Sequence, residues 1–208
     1  MKLKMWFLFV LFFSFCYGNE YFNNITGFVN IKIPTGFSLI CNPLDSEDNS
    51  IKNLFDPEKT GLSEGLIIYK FDNELQQYSI NILEFGQWTN PDELLEPGEG
   101  AFILNVGEET TITFTGNVRF GNLSQVVPSG FSLQSSQVPQ TGEIDSDLNF
   151  PIEDGDIIYR YNNQIESYET YEYDFGMWFD EVFKPNVGES FWVLKLNTTN
   201  WNRTFTIY

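Results

Sequence analysis

Two glutamates stand in matched surroundings ninety positions apart. Pro97-Gly98-Glu99-Gly100-Ala101-Phe102-Ile103-Leu104 reads PGEGAFIL, and Asn186-Val187-Gly188-Glu189-Ser190-Phe191-Trp192-Val193-Leu194 reads NVGESFWVL. A pair of carboxylates ~5 to 10 Å apart across a sugar ring is the machinery of glycoside hydrolysis, so Glu99 and Glu189 invite that reading. The competing one is that a single structural device is used twice. A duplicated position serves the duplicated fold, and a glycine before the carboxylate lets the chain turn closely against the next strand. Gly98, Glu99, Gly188 and Glu189 are therefore read as structural markers of a repeat, with no catalytic residue among them.

Other chemistries are bounded by what is missing. The sequence holds no histidine, which removes Ser-His-Asp catalysis and nearly all zinc and copper chemistry. Of two cysteines, Cys16 lies in an apolar leader and Cys41 sits in the run Phe37-Ser38-Leu39-Ile40-Cys41, where a small buried hydrophobe is expected. Calcium is the one cofactor the acids leave open. Asp145, Asp147 and Asn149 have the 1, 3, 5 oxygen spacing of a calcium loop and Asp156 falls at position 12. Phe150 occupies the sixth position, where the turn needs glycine, and glutamate is missing at the twelfth. A looser site at Asp45 to Asp48 or Glu153 to Asp156 is the second expectation, and a solvated acidic loop is the plain one.

Aromatic side chains are the remaining candidates. Tyr168, Tyr171 and Tyr173 alternate with polar residues in Tyr168-Glu169-Thr170-Tyr171-Glu172-Tyr173, and Trp192 and Trp201 follow. Flat ring faces of this kind, Tyr78 among them, could stack on sugar rings, leaving polar groups to read the hydroxyls. Trp88 and Trp178 occupy equivalent places in the repeat and are expected in the core.

The elements that must position these groups are strands. Lys2 and Lys4 precede an apolar run from Met5 to Phe15, which ends in Cys16-Tyr17-Gly18. That pattern is a signal peptide over residues 1–18. It implies a secreted or cell-surface protein. The net charge is −18 with 29 acidic residues, and removing the leader takes away two of the 11 basic ones. Such a surface excludes nucleic acid and direct binding to anionic membrane. Four Asn-x-Ser/Thr sequons, at Asn24, Asn122, Asn197 and Asn202, have meaning only in a eukaryotic host.

Internal similarity runs through the rest of the chain. Pro34-Thr35-Gly36-Phe37-Ser38-Leu39 matches Pro128-Ser129-Gly130-Phe131-Ser132-Leu133. Gly65 to Phe71 matches Gly155 to Tyr161, Phe85-Gly86-Gln87-Trp88 matches Phe175-Gly176-Met177-Trp178, and Thr113-Phe114-Thr115 matches Thr204-Phe205-Thr206. The boundary falls near Gly116 to Gly121, giving a first β repeat over 19–118 and a second over 119–208. Val29 to Ile33 alternates as a half-buried strand does. Ile67 to Phe71 and Leu75 to Ile82 flank Asp72-Asn73-Glu74, and Ile157 to Tyr161 and Ile165 to Tyr171 flank Asn162-Asn163-Gln164. Both pairs read as hairpins whose Asn or Asp takes positive φ. One short helix is expected over Ile51 to Phe55, stopped by Pro57. The fold class is all-β: a tandem pair of similar small sandwich or barrel units related by a pseudo-twofold.

Gly36-Phe37-Ser38-Leu39-Ile40-Cys41-Asn42-Pro43-Leu44, Pro97-Gly98-Glu99-Gly100-Ala101-Phe102, Phe114-Thr115-Gly116-Asn117-Val118, Ser135-Ser136-Gln137-Val138-Pro139-Gln140-Thr141-Gly142 and Trp201-Asn202-Arg203-Thr204-Phe205 together resemble an uncharacterised family of secreted proteins from environmental bacteria of the verrucomicrobial and lentisphaeral type. The resemblance covers nearly the whole chain after the leader. It implies an exported β-repeat protein and no chemistry. Hairpin turns resembling Asn-Gly in that family read Asp72-Asn73 and Asn162-Asn163 here.

These observations favour a non-enzymatic structural protein of the cell surface or extracellular matrix. Its partners would be copies of itself or other extracellular components. The alternative is a secreted module that binds carbohydrate or another surface ligand.

Overall fold

The computed structural model describes residues 25–207; the leader expected at 1–18 lies outside them. The first repeat contains β1 (Thr26–Ile33), β2 (Gly36–Ile40), α1 (Ile51–Leu54), α2 (Pro57–Thr60), β3 (Ile67–Asp72), β4 (Gln77–Glu84), β5 (Gln87–Trp88), β6 (Ala101–Asn105) and β7 (Thr110–Asn117). The second contains β8 (Gly121–Val127), β9 (Gly130–Ser135), β10 (Asp156–Asn162), β11 (Ser167–Asp174), β12 (Met177–Trp178), β13 (Ser190–Lys195) and β14 (Thr199–Phe205). Each repeat makes a five-stranded antiparallel sheet, ordered β2-β6-β3-β4-β5 in the first and β9-β13-β10-β11-β12 in the second. A two-stranded ribbon, β1-β7 or β8-β14, completes each unit. The chain is a tandem pair of β-sandwich units of the same strand order.

Alternation decides which face is core. On β6, Ala101, Ile103 and Asn105 are buried, whereas Phe102 and Leu104 point to the other face. The inward set joins Ile33, Ile40, Ile68, Ile112 and Phe114 in the first core. Val127, Ile158, Phe191, Val193 and Trp201 build the second in the same way. Trp88 is buried and its Nε1 donates to the Phe55 carbonyl at 2.9 Å, so its one polar atom is satisfied.

Local structure departs from the sequence reading in three places. Thr110 faces Ile33 and Thr199 faces Val127, so Phe114 is the equivalent of Arg203 and the match of Thr113-Phe114-Thr115 with Thr204-Phe205-Thr206 is two residues out of register. Pro57 ends α1 and then opens a second helix, α2, where its fixed φ suits the first helical position and Asp56 accepts from the Glu58 N–H. In the hairpins, positive φ falls on Gln76 (53°) and Glu166 (50°), one step before β4 and β11, rather than on the asparagines. Asp72 and Asn162 instead cap the turns, accepting from the Glu74 and Gln164 N–H groups. Asn73 and Asn163 reach across to the opposite repeat.

That reach reveals how the units join. Asn73 donates to the Leu133 carbonyl at 3.3 Å and accepts from the Leu133 N–H at 2.9 Å. Its counterpart Asn163 donates to the Thr35 and Phe37 carbonyls at 3.1 and 2.7 Å. The Ser135 N–H donates to the Gly98 carbonyl, and the Cys41 N–H to the Gly188 carbonyl. The two backbone contacts are partners under the pseudo-twofold; the asparagine contacts are offset, since Asn73 meets Leu133 whereas Asn163 meets Thr35 and Phe37 and not the equivalent Leu39. Between them Leu39, Leu133 and Trp192 are buried, with Phe71, Phe102, Tyr159 and Tyr161 packed alongside.

Arg119 pins the connection between the repeats. Its guanidinium meets Asp45 at 2.8 Å, Glu96 at 2.9 Å and the Pro97 carbonyl at 3.3 Å. Burial pushes the Asp45 carboxyl up, but hydrogen bonds from Arg119 and Asn49 outweigh it and hold it below the usual range. A depressed folded value means the contribution is complete above the unfolded carboxylate value of ~3.9 and fades as pH falls through the folded one. The difference in Tm between the native protein and Arg119→Ala is therefore expected to shrink as pH drops from about 5 to about 2. A difference that grows on acidification would contradict this.

Candidate functional site

The sheet faces turned away from the two cores carry aromatic rows. On the first unit Leu39 pairs with Phe102, Phe102 with Tyr69, and Phe71 with Tyr78 across neighbouring strands. On the second, Leu133 pairs with Trp192, Trp192 with Tyr159, and Tyr161 with Tyr168. Period-two placement puts each set on one face. The rows then meet across the junction. Phe71 packs edge-on against Trp192 with centroids 4.7 Å apart, and Phe102 against Tyr161 at 5.8 Å.

Two grooves open where the rows diverge. One, of ≈ 500 Å³, is lined by Phe37, Tyr69, Tyr78, Phe102, Tyr161 and Tyr168. The other, of ≈ 370 Å³, is lined by Phe71, Tyr78, Phe131, Tyr159, Tyr168 and Trp192. Every lining residue is aromatic, and the second list is the first carried through the repeat. Tyr78 and Tyr168, each 44% exposed, belong to both grooves and so stand at the centre of the site. Burial pushes both phenols above their ordinary pKa, against an opposing hydrogen bond from Trp192 in the case of Tyr168. They stay neutral near physiological pH and keep a hydroxyl to donate.

A polar pocket of ≈ 420 Å³ shares Phe71 and Tyr78 with the second groove. Lys70, Asn73, Ser79, Glu93 and Glu99 line it. Lys70 Nζ lies 2.8 Å from Glu99 Oε2 and donates to the Leu94 carbonyl at 2.8 Å. Glu93 accepts from the Ser79 hydroxyl and from Asn81.

Glu99 and Glu189 hold equivalent places here. Glu99 takes Lys70 from β3 and the Glu96 N–H at 2.8 Å. Glu189 takes Arg160 from β10 at 2.6 Å and the Asn186 N–H at 2.8 Å. Each carboxylate braces the turn whose glycine carbonyl receives the opposite repeat. Gly98 (φ 106°) and Gly188 (φ 82°) are left-handed there, and a side chain at Gly188 would run into Ile31. The arrangement uses the carboxylates as acceptors for cations and loop N–H groups.

The remaining sequence candidates scatter. Tyr168 and Trp192 line the grooves. Tyr171 and Trp201 lie in the second core, where Trp201 donates to the Leu148 carbonyl at 2.7 Å. Tyr173 packs edge-on against Trp178 at 5.3 Å, and Trp178 donates to Asp145 at 2.8 Å. Asp147 accepts from the Glu143 N–H, Asn149 takes a left-handed turn at φ 55°, and Asp156 is buried against Lys195. Asp145, Asp147 and Asp156 thus serve separate local partners, and Asn149 sits in a left-handed turn. Among the described residues no three His, Cys, Asp or Glu side chains gather to hold a metal. Tyr78, a sequence candidate, lines both grooves with Tyr168; Phe37, Tyr69, Phe71, Phe102, Phe131, Tyr159 and Tyr161 are not among the sequence candidates, although the Tyr69-x-Phe71 and Tyr159-x-Tyr161 alternation in both repeats is a signal for them.

Cys41 packs at the junction with its thiol 3.7 Å from the Glu189 carbonyl. Burial pushes its pKa up to about 12, against a hydrogen bond with Ser135 that pulls the other way. The thiolate is the reactive form. A disulfide reagent at pH ~8, where a free thiol with the usual pKa of ~8.5 reacts readily, is expected to leave Cys41 untouched until denaturant is added. Rapid labelling of Cys41 itself in the native protein would contradict the buried assignment.

The chain matches no protein-family model, no curated protein and no solved structure.

Proposed function

We propose that this chain is an exported, non-catalytic binding module and that carbohydrate lies along the paired aromatic grooves. One observation carries the reading: twelve groove-lining places, six per groove, are all filled by aromatic side chains, with Tyr78 and Tyr168 counted in both. Flat apolar rings match the C–H faces of pyranose sugars, and phenol hydroxyls at the rim serve the ligand's polar edges. Ring faces held edge-on by neighbours are also preorganised, so little ordering cost is left for binding.

Native electrophoresis through gels cast with neutral, acidic and amino polysaccharides tests it. The wild-type chain should be retarded by at least one of them, and Tyr78→Ala/Tyr168→Ala should migrate freely while melting as a folded protein. Unretarded migration in every gel would overturn the proposal. A self-associating surface subunit is the second reading, favoured by Phe85 and Phe175. These equivalent hairpin-tip residues are 97% and 81% exposed with φ of 54° and 52°. Light scattering of the purified chain decides it: a mass that stays at one chain length over rising concentration removes that reading.

A further inference from the structure

The two repeats differ beside the grooves in a way the fold does not require. In the second repeat, Arg160 lies over the Phe183 ring at 4.9 Å and near the Tyr171 ring at 6.0 Å, forked onto Glu189 and bonded to the Lys184 carbonyl. In the first repeat Lys70 makes the same two contacts, to Glu99 and the Leu94 carbonyl. Asn81 and Glu93 stand where Tyr171 and Phe183 stand in the second. A ring has become a carboxylate, and the ≈ 420 Å³ pocket is open. The opening in the first repeat is thus lined by Glu93 where the second repeat packs the Phe183 ring under Arg160.

The pocket's chemistry selects an occupant. Asp72, Glu74, Glu93 and Glu99 line it against one cation, Lys70, which Glu99 already holds. The whole chain carries −18. A uronate or sulfated sugar would meet like charge on entry; an ammonium would be attracted over distance and paired at contact. The shared walls Phe71 and Tyr78 place that pocket at the end of the groove containing Trp192, where ring faces also favour a cation.

We propose that this polar pocket is a subsite for an amino sugar bearing a free ammonium. Its ring lies against Phe71 and Tyr78, and its ammonium faces Glu93. This rests on the carbohydrate-binding reading and adds the ligand class to it.

Short oligomers of β-1,4-linked glucosamine and of N-acetylglucosamine, matched in length, separate the two claims. They share ring faces and differ in charge. Titration followed by tryptophan fluorescence and calorimetry should show the glucosamine oligomer binding about tenfold more tightly. Glu93→Gln should erase that preference and leave the N-acetylated affinity in place. Glu108→Gln, the same charge change at the far end of β6, should keep the preference. Equal affinities in the wild type, or a preference that survives Glu93→Gln, would overturn the ammonium subsite while the groove reading stands. No binding by either oligomer would overturn the ammonium subsite, and retardation or free migration in the polysaccharide gels would then decide the groove reading.

Discussion

Lys195→Met is expected to cost about 3–5 kcal/mol of stability, measured by urea denaturation at neutral pH. Lys195 and Asp156 are both fully buried and ion-paired. The ammonium also donates to the Pro151 carbonyl, and the Phe150 ring lies 5.9 Å away. Removing the cation leaves the Asp156 carboxylate without a counter-charge in a dry environment, where one of its oxygens already has no hydrogen-bond partner. The first repeat supplies the control. It places Leu66 and Asn105 at the equivalent positions, both buried, and Asn105 satisfies itself on the Ile33 and Glu108 carbonyls. Asp156→Leu/Lys195→Asn should therefore lose much less than either single change. A double variant as damaged as the singles would show that the pair itself stabilises the second unit.

Trp192→Ala is expected to cost about 3–5 kcal/mol and to abolish the second groove. Trp192 is 9% exposed. It packs against Leu133 in the junction cluster and edge-on against Phe71 of the other repeat. Its loss removes a contact between the units as well as a groove wall. Phe102, the equivalent residue, is half-buried, so Phe102→Ala should cost less. The measurement is a paired set of denaturation curves. Equal losses at the two positions would mean that the junction does not depend on the larger ring.

The duplication, the strands and the all-β class were legible because period-two alternation and repeated Gly-containing turns are local signals. The β-sandwich pairing followed from the same alternation: Ala101, Ile103 and Asn105 on one face of β6, Phe102 and Leu104 on the other. The groove was less legible. Tyr69, Phe71 and Phe102 look like core residues in sequence, and only the docking of two outer faces separates them from Trp88 or Trp201. Tyr171 and Tyr168 sit three residues apart on one strand, yet one belongs to the second core and the other to the groove. Alternation gives the face and says nothing of what covers it. The hairpin asparagines misled for a related reason. Asn162 caps its own turn while Asn73 and Asn163 reach the opposite repeat, and the positive φ lies on Gln76 and Glu166. At the calcium spacing, Asp145 accepts from the Trp178 indole, Asp147 accepts from the Glu143 N–H, and Asn149 sits in a left-handed turn.

The central claim is that the aromatic double groove at the junction is a ligand site. Calorimetric titration of the full chain with glucosamine oligomers, beside Tyr168→Ala and Tyr171→Phe, tests it most directly. Tyr168 lines both grooves; Tyr171 lies in the second core on the same strand. The account predicts saturable binding that Tyr168→Ala weakens at least about tenfold and Tyr171→Phe leaves unchanged. Binding that persists in Tyr168→Ala at wild-type affinity would place the ligand elsewhere and contradict the account.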